Sequence, residues 1–262
     1  MDSQVKSCRA GFYDLPVLTL LFGNDVHPGG VPLTRKLAGS ALVGRDDRVL
    51  DVACGRGESA RVLAEQFGCR IVGIDYSEES IRRANELTED VGLTNLVQFI
   101  QGDAERLPFA NESFDVVTCE CSLSIFPDPL LAITEMKRVL RPGGRLGVSD
   151  VVLNQPLPET LKDLLGHVLC ISGALSIDGY RDVFSKTGFS AIRTRDVSEV
   201  LGDMISRMER RIGVIEDFLD REQFELANSL SASFSSISAA RDFVMSGGAG
   251  YALITGKKPI AN

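Results

Sequence analysis

A glycine turn and three carboxylates at regular places along the chain are the residues best suited to chemistry. Val49-Leu50-Asp51-Val52-Ala53 reads as a short apolar strand, Cys54-Gly55-Arg56-Gly57 as a turn, and Glu58-Ser59-Ala60 as the start of a helix. That order puts free backbone N–H groups and the positive end of a helix beside a ligand. A side chain at Gly55 or Gly57 would block close approach of the backbone to it. Asp51 sits inside the strand end, where its carboxylate suits a cationic group and repels a pyrophosphate. Asp75 ends the next strand, where a carboxylate accepts hydrogen bonds from both hydroxyls of a ribose. Gly102-Asp103-Ala104-Glu105 follows the third strand, where a carboxylate and backbone amides can read an adenine edge beside the apolar Leu107-Pro108-Phe109. Gly55 to Ala60 also fits a dinucleotide fingerprint. The ligand is thus either a nucleoside with a cationic tail or a nicotinamide dinucleotide, the latter implying an oxidoreductase.

The histidines and cysteines give a thinner signal. The chain has two histidines and six cysteines. His27, before Pro28-Gly29-Gly30, reads as a turn residue first and as a base at an acceptor site second. His167 and Cys170 fall three residues apart on an expected helix and share a face. Cys119 and Cys121, two apart on a strand, are expected on one face. With Cys170 they would form a soft-metal set, but packing as small hydrophobes is the plainer reading. No CxxC pair occurs, and no metal site is expected.

Strands and helices alternate around these residues. Strands are expected at Arg48–Ala53, Arg70–Asp75, Leu96–Gln101, Phe114–Cys121 and Arg145–Val152. Helices are expected at Glu58–Phe67, from Ser77 onward with Ile81, Ala84, Leu87 and Val91 on one face, and at Pro129–Leu140. The alternation predicts a parallel sheet with helices on both faces, binding its ligand at the carboxyl ends of the strands. Residues 12–43 read as helical around the turn at His27. Later come helices at Leu157–Ile171 and Ile177–Thr187, a strand at Phe189–Val197, a long helical stretch over residues 199–245 with two apolar faces, and an edge strand at Gly250–Lys257. The apolar faces read as core first, and as a lid or a homodimer surface second.

Composition narrows the class. The chain has 262 residues, 44% hydrophobic and 24% charged, with net charge −8, values of an ordinary soluble domain. Short basic runs argue against a nucleic-acid substrate. The longest apolar run, Leu15–Phe22, is too short to span a membrane. No signal peptide is visible, so a cytoplasmic location and reduced cysteines are expected.

At five places the chain resembles class I S-adenosylmethionine-dependent methyltransferases. These are Asp51-Val52-Ala53-Cys54-Gly55-Arg56-Gly57, Gly73-Ile74-Asp75-Tyr76-Ser77, Gly102 to Phe109, Phe114-Asp115-Val116-Val117 and Arg138 to Gly144. The resemblance implies an α/β, Rossmann-like seven-stranded sheet, mostly parallel with an antiparallel last strand. It has helices on both faces and a helical N-terminal and C-terminal cover. It implies one domain over 1–262: a cap at 1–44, a cofactor core at 45–155, acceptor-side helices and a strand at 156–198, a helical insertion at 199–245 and the last strand at 246–262.

It also implies roles. Gly55 and Gly57 would cradle the methionine part of S-adenosyl-L-methionine at the Ala53 turn, with Asp51 near its amino group. Asp75 would hold the ribose, Tyr76 cover the adenine, Asp103 bind the adenine amino group and Ala104 offer its backbone. Glu120 and Cys121 would face the methyl group and a small-molecule acceptor, and Tyr13 with the His27 turn would close over the cofactor. The expected reaction is in-line displacement at the methyl carbon, in which the protein aligns the groups and excludes water. No dedicated base stands out, which favours a soft or already ionised nucleophile; Glu120, His27 and His167 are the candidates if one is needed. The stretch from Cys170 to Leu175 is similar to the metalloid-binding region of arsenite methyltransferases, though only one of three binding cysteines is matched. A protein that binds S-adenosylmethionine and transfers nothing is the remaining alternative.

Overall fold

The computed structural model describes residue 6 and residues 27–161, 173–218 and 237–260. Seven strands form one sheet: β1 (Arg48–Val52), β2 (Arg70–Asp75), β3 (Val97–Gln101), β4 (Phe114–Glu120), β5 (Leu140–Leu153), β6 (Ser190–Asp196) and β7 (Ala249–Lys257), in the order β3-β2-β1-β4-β5-β7-β6. The first five are parallel, and β7 runs antiparallel to both β5 and β6. The order reverses at β1, where β2 lies on one side and β4 on the other. This is the switch point at which open α/β sheets bind ligands.

Helices cover both faces. α1 (Gly30–Ser40), α2 (Glu58–Phe67) and α3 (Glu78–Asp90) pack Ala38, Ala60, Leu63 and Ala84 against Val49, Ile71 and Val116. α4 (Pro129–Val139) and α5 (Ile177–Lys186) bury Ile133, Met136, Tyr180 and Phe184 against Leu50, Val117 and Val148 on the other face. α6 (Glu199–Phe218) lays Leu201, Met204, Ile205, Met208 and Ile212 against α1 and β7. Helix starts follow local chemistry. The Ser77 side chain accepts a hydrogen bond from the Ser80 N–H, and Asp128 caps α4 at the Leu131 N–H with Pro129 in the first turn.

Several expectations change. Gly250–Lys257 is not an edge strand: β7 is buried along most of its length between β5 and β6, and β6 is the exposed edge. Cys119 and Cys121 do not share a face. Cys119 packs with the α4 side, whereas Cys121 has a φ of 52° and packs with the α1–α6 side. The left-handed residue ends the alternation that the spacing assumed. On α3, Ile81 and Ala84 are buried but Leu87 and Val91 are exposed; Ser80 and Thr88 complete the buried face. Of the helix expected at Leu157–Ile171, a 3-10 turn at Glu159–Leu161 is described; residues 162–172 lie outside the described residues, as do 219–236 of the long helical stretch.

Candidate active site

A cavity of about 390 Å³ opens at the carboxyl ends of β1 to β4, within the range of small-molecule sites. Asp51, Ala53, Gly55, Asp75, Tyr76, Asp103, Ala104, Glu120, Cys121 and His27 all line it. Gly57 does not. With φ of 74° it caps the start of α2, and a Cβ there would overlap the Phe99 ring. Packing and backbone shape by themselves require glycine there. At Gly55, φ is 51° and a Cβ would meet nothing within 4 Å, so that backbone faces open space. Arg61 steadies the turn by donating to the Arg56 carbonyl at 2.7 Å.

The deep end of the cavity is acidic. Asp51 is 2% exposed. Its Oδ1 accepts from the Thr118 hydroxyl at 3.0 Å, and its Oδ2 is buried with no hydrogen-bond partner. Burial, then the charge of Glu120, push the Asp51 carboxyl up to about 8; the Thr118 hydrogen bond opposes them and Asp75 adds to them. A buried carboxylate oxygen without a partner is costly, and a cation placed against it removes that cost.

The other end of the cavity is built from strand-end carboxylates. Asp75 accepts from the Gly55 N–H at 2.8 Å and the Ser77 N–H at 2.9 Å, one on each oxygen. Asp103 Oδ1 accepts from the Glu105 N–H at 2.9 Å. Lys6 was not singled out from the sequence, yet its ammonium lies 2.7 Å from Asp103 Oδ2 and 2.5 Å from Glu105 Oε2. Burial pulls the Lys6 pKa down, and the two carboxylates outweigh it and raise it. Glu105 also accepts from the Asp128 N–H at 2.7 Å, which ties this loop to the start of α4. No periodic pattern links residue 6 to residue 103, so only the fold shows the pair.

The third wall joins His27, Thr34, Ser59 and Glu120. The Thr34 hydroxyl lies 3.0 and 3.3 Å from the two Glu120 oxygens, 3.4 Å from His27 Nε2 and 3.3 Å from Ser59 Oγ. His27 Nδ1 lies 3.2 Å from the Pro28 carbonyl and 4.0 Å from Glu120 Oε2. His27 is 8% exposed, so it is a buried wall of the cavity and not a solvated turn residue. Cys121 stands beside this group; its backbone N–H donates to the Ser149 carbonyl at 2.7 Å. Asp150, also missed from the sequence, accepts from the Ser124 hydroxyl and N–H at 2.8 and 2.9 Å and pins the turn that follows Cys121. Burial pushes its carboxyl up to about 6, against those hydrogen bonds.

Tyr13, His167 and Cys170 lie outside the described residues. No group of three or more His, Cys, Asp or Glu placed to hold a metal occurs among the described residues. Cys54, at the turn, is a protonated thiol: burial, then Asp75 and Asp51, push its pKa well up.

These features fit S-adenosylmethionine. The unpartnered Asp51 oxygen suits a cationic tail, the open space over Gly55 admits a ligand against the backbone, and a pyrophosphate would meet three carboxylates. The family model described as "Methyltransferase domain" matches residues 44–188, more than half of the chain. The chain belongs to this methyltransferase family. S-adenosylmethionine is its methyl donor, and the protein is an enzyme of methyl transfer. The chain is 32% identical over 268 residues to the 27-O-demethylrifamycin SV methyltransferase of Amycolatopsis mediterranei, with 95% of this chain and 94% of that one aligned. It is 32% identical over 200 residues to the methyltransferase GfsG of Streptomyces halstedii, covering 70% and 72% of the two chains. Its fold matches the crystal structure of the [4+2]-cyclase SpnF with a TM-score of 0.80 over 96% of each chain, at 24% identity. Among the described residues no helix is long and apolar enough to cross a membrane.

Proposed function

We propose that this methyltransferase methylates a hydroxyl oxygen of a small organic molecule, and that Glu120 and His27 accept the proton the hydroxyl gives up. The observation that carries the reading is the buried contact of Glu120 with His27 through Thr34 on the cavity wall. A soft nucleophile needs no such group; an alcohol or phenol does. Two relatives are named as O-methyltransferases, one at 34% identity over 172 residues, and the rifamycin relative is named for an O-demethylated substrate.

When bound, S-adenosylmethionine supplies a methyl group already activated on a sulfonium. The chain's own residues bind and orient. Asp51 Oδ2 receives the amino group, and the backbone at Ala53 and Gly55 lies along the methionine part. Asp75 takes the ribose hydroxyls, Tyr76 covers the adenine, and Asp103 with the Ala104 backbone reads its edge. Glu120 and His27 hold the acceptor's proton, and Cys121 borders the acceptor. Arsenite needs a thiolate set; among the described residues Cys54 and Cys121 line the cavity, but burial keeps the Cys54 thiol protonated and Cys119 packs on the other face of the sheet.

A mass-spectrometric screen of phenols, catechols, alcohols, thiols and arsenite against labelled S-adenosylmethionine tests this. An O-methyl product is expected. Methylarsenic or S-methyl products without any O-methyl product would overturn the hydroxyl reading, and donor binding with no transfer at all would point to a non-catalytic protein.

A further inference from the structure

Thr34 sits behind the cavity wall, and its single hydroxyl touches both groups of the acid–base pair. We infer that Thr34 is a positioning residue that joins Glu120 and His27 into one proton-accepting unit, open to the acceptor at Glu120 and storing the proton at His27. The inference rests on the hydroxyl-acceptor reading above.

Thr34 is 2% exposed and lies on α1, and its partner Glu120 is 86 residues away on β4. A threonine hydroxyl has one hydrogen to give and two lone pairs. With Glu120 ionised, that hydrogen goes to Oε1, at 3.0 Å its nearest acceptor. His27 Nδ1 faces the Pro28 carbonyl at 3.2 Å, which can only accept. The neutral ring therefore carries its hydrogen on Nδ1 and turns the lone pair of Nε2 toward Thr34, 3.4 Å away.

This arrangement permits one balanced transfer. The acceptor's O–H bond breaks, its electron pair stays on oxygen as the nucleophile, and an O–H bond forms on Glu120. The protonated Glu120 donates to the Thr34 oxygen. The Thr34 O–H bond breaks as its hydrogen passes to His27 Nε2, and re-forms with the hydrogen from Glu120. The net result is one proton moved from the acceptor to His27, with Glu120 ionised again and its Oε2 4.0 Å from the charged ring. Among the described residues, ionisable groups on the cavity wall with this unit include Asp51 on β1, whose charge couples to Glu120, Glu58 at the start of α2, and Cys121 after β4. Ser59 Oγ, 3.3 Å from the Thr34 oxygen, is the remaining hydroxyl of the cluster.

The test uses Thr34→Val, which keeps the shape and removes the hydroxyl, and Thr34→Ser, which restores it. Two histidines in the chain make ring-nitrogen NMR of the S-adenosylhomocysteine-bound protein direct, with His167→Gln assigning the signals. Thr34→Val is expected to move the His27 Nε2 signal. It should lower kcat on the hydroxyl acceptor found by the screen about 10–100-fold, less than the roughly 100–10,000-fold of a whole general base because Glu120 itself stays in place, and change the pH profile of kcat. The KM for S-adenosylmethionine stays within about twofold, and Thr34→Ser recovers kcat, profile and NMR signal. Unchanged ring-nitrogen signals and an unchanged kcat profile in Thr34→Val would overturn the inference. If Thr34→Val does not fold, Glu120→Gln reads the same link: an unmoved Nε2 signal there overturns it. A screen that returns no hydroxyl acceptor removes the substrate reading alone, because the NMR signals still decide whether Thr34 joins the two groups.

Discussion

Asp51 and Thr118 stand opposite each other in the β1–β4 register, and the Thr118 hydroxyl satisfies one carboxylate oxygen while the other is left buried without a partner. The ligand-free protein therefore stores an unfavourable group at the place proposed for the cofactor's amino group. Asp51 has a folded pKa of about 8 against an ordinary 3.8. The folded state thus holds a proton that the unfolded state has released, and this contribution to stability is present below about pH 4 and lost as pH rises through about 8. Asp51→Asn is expected to raise the Tm of the ligand-free protein at pH 8 by roughly 3–6 °C and to abolish measurable S-adenosylhomocysteine binding. Calorimetry at pH 7 in buffers of different ionisation heat should show about one proton released when the wild type binds. A wild type that releases none would contradict the Asp51 assignment.

The two glycines of the turn differ in surroundings: a Cβ at Gly55 meets open space and one at Gly57 meets the Phe99 ring. Gly57→Ala meets the Phe99 ring and a left-handed φ, and is expected to cost about 2–4 kcal/mol in urea unfolding. Gly55→Ala meets open space at a left-handed φ and should cost about 1 kcal/mol of stability, while weakening S-adenosylhomocysteine binding tenfold or more. Equal losses of stability in the two variants would remove the distinction.

Asp75, proposed to take the ribose, also holds the turn, because the Gly55 and Ser77 N–H groups both donate to it. In Asp75→Asn one of those N–H groups faces an amide NH2, so about 1–3 kcal/mol of stability is lost along with nucleoside affinity. Adenosine serves as the probe here, since it carries no methionine tail. Retained adenosine affinity in the variant would show that the ribose is held elsewhere.

Lys6 neutralises two carboxylates at the adenine end. In Lys6→Met those carboxylates face each other without a cation, and affinity for S-adenosylhomocysteine is expected to fall about tenfold, the effect of losing a partly buried pair; Lys6→Arg should keep most of it. Titration calorimetry of the three proteins decides, and an unchanged Kd in Lys6→Met would make the pair incidental.

What the sequence made legible was what lies close along the chain. The strand-turn-helix at Gly55 and the carboxylates at strand ends depend on residues within about ten positions of one another, and periodicity places them. The contacts of Lys6 with Asp103 and of Thr34 with Glu120 span 97 and 86 residues and arise only in the folded chain, the second when α1 packs on the sheet. His27 read as a turn residue because Pro28-Gly29-Gly30 does form a turn; its burial is set by the packing around it. The face of Cys121 was misjudged because a single left-handed residue breaks a period of two without leaving a glycine to mark it. The place of β7 was misjudged because an edge and an interior antiparallel strand differ in neighbours, not in local pattern.

The insertion of β7 between β5 and β6 also orders events during synthesis. Until residues 249–257 have left the ribosome, β5 has an open flank and β6 has nothing to join. A nascent chain halted before Ala249 would expose the hydrogen-bonding edge of β5 to other strands, a recognised route to aggregation. The strands β1 to β4 are in hand early, but the sheet waits on residues 249–257 for its last closing seam.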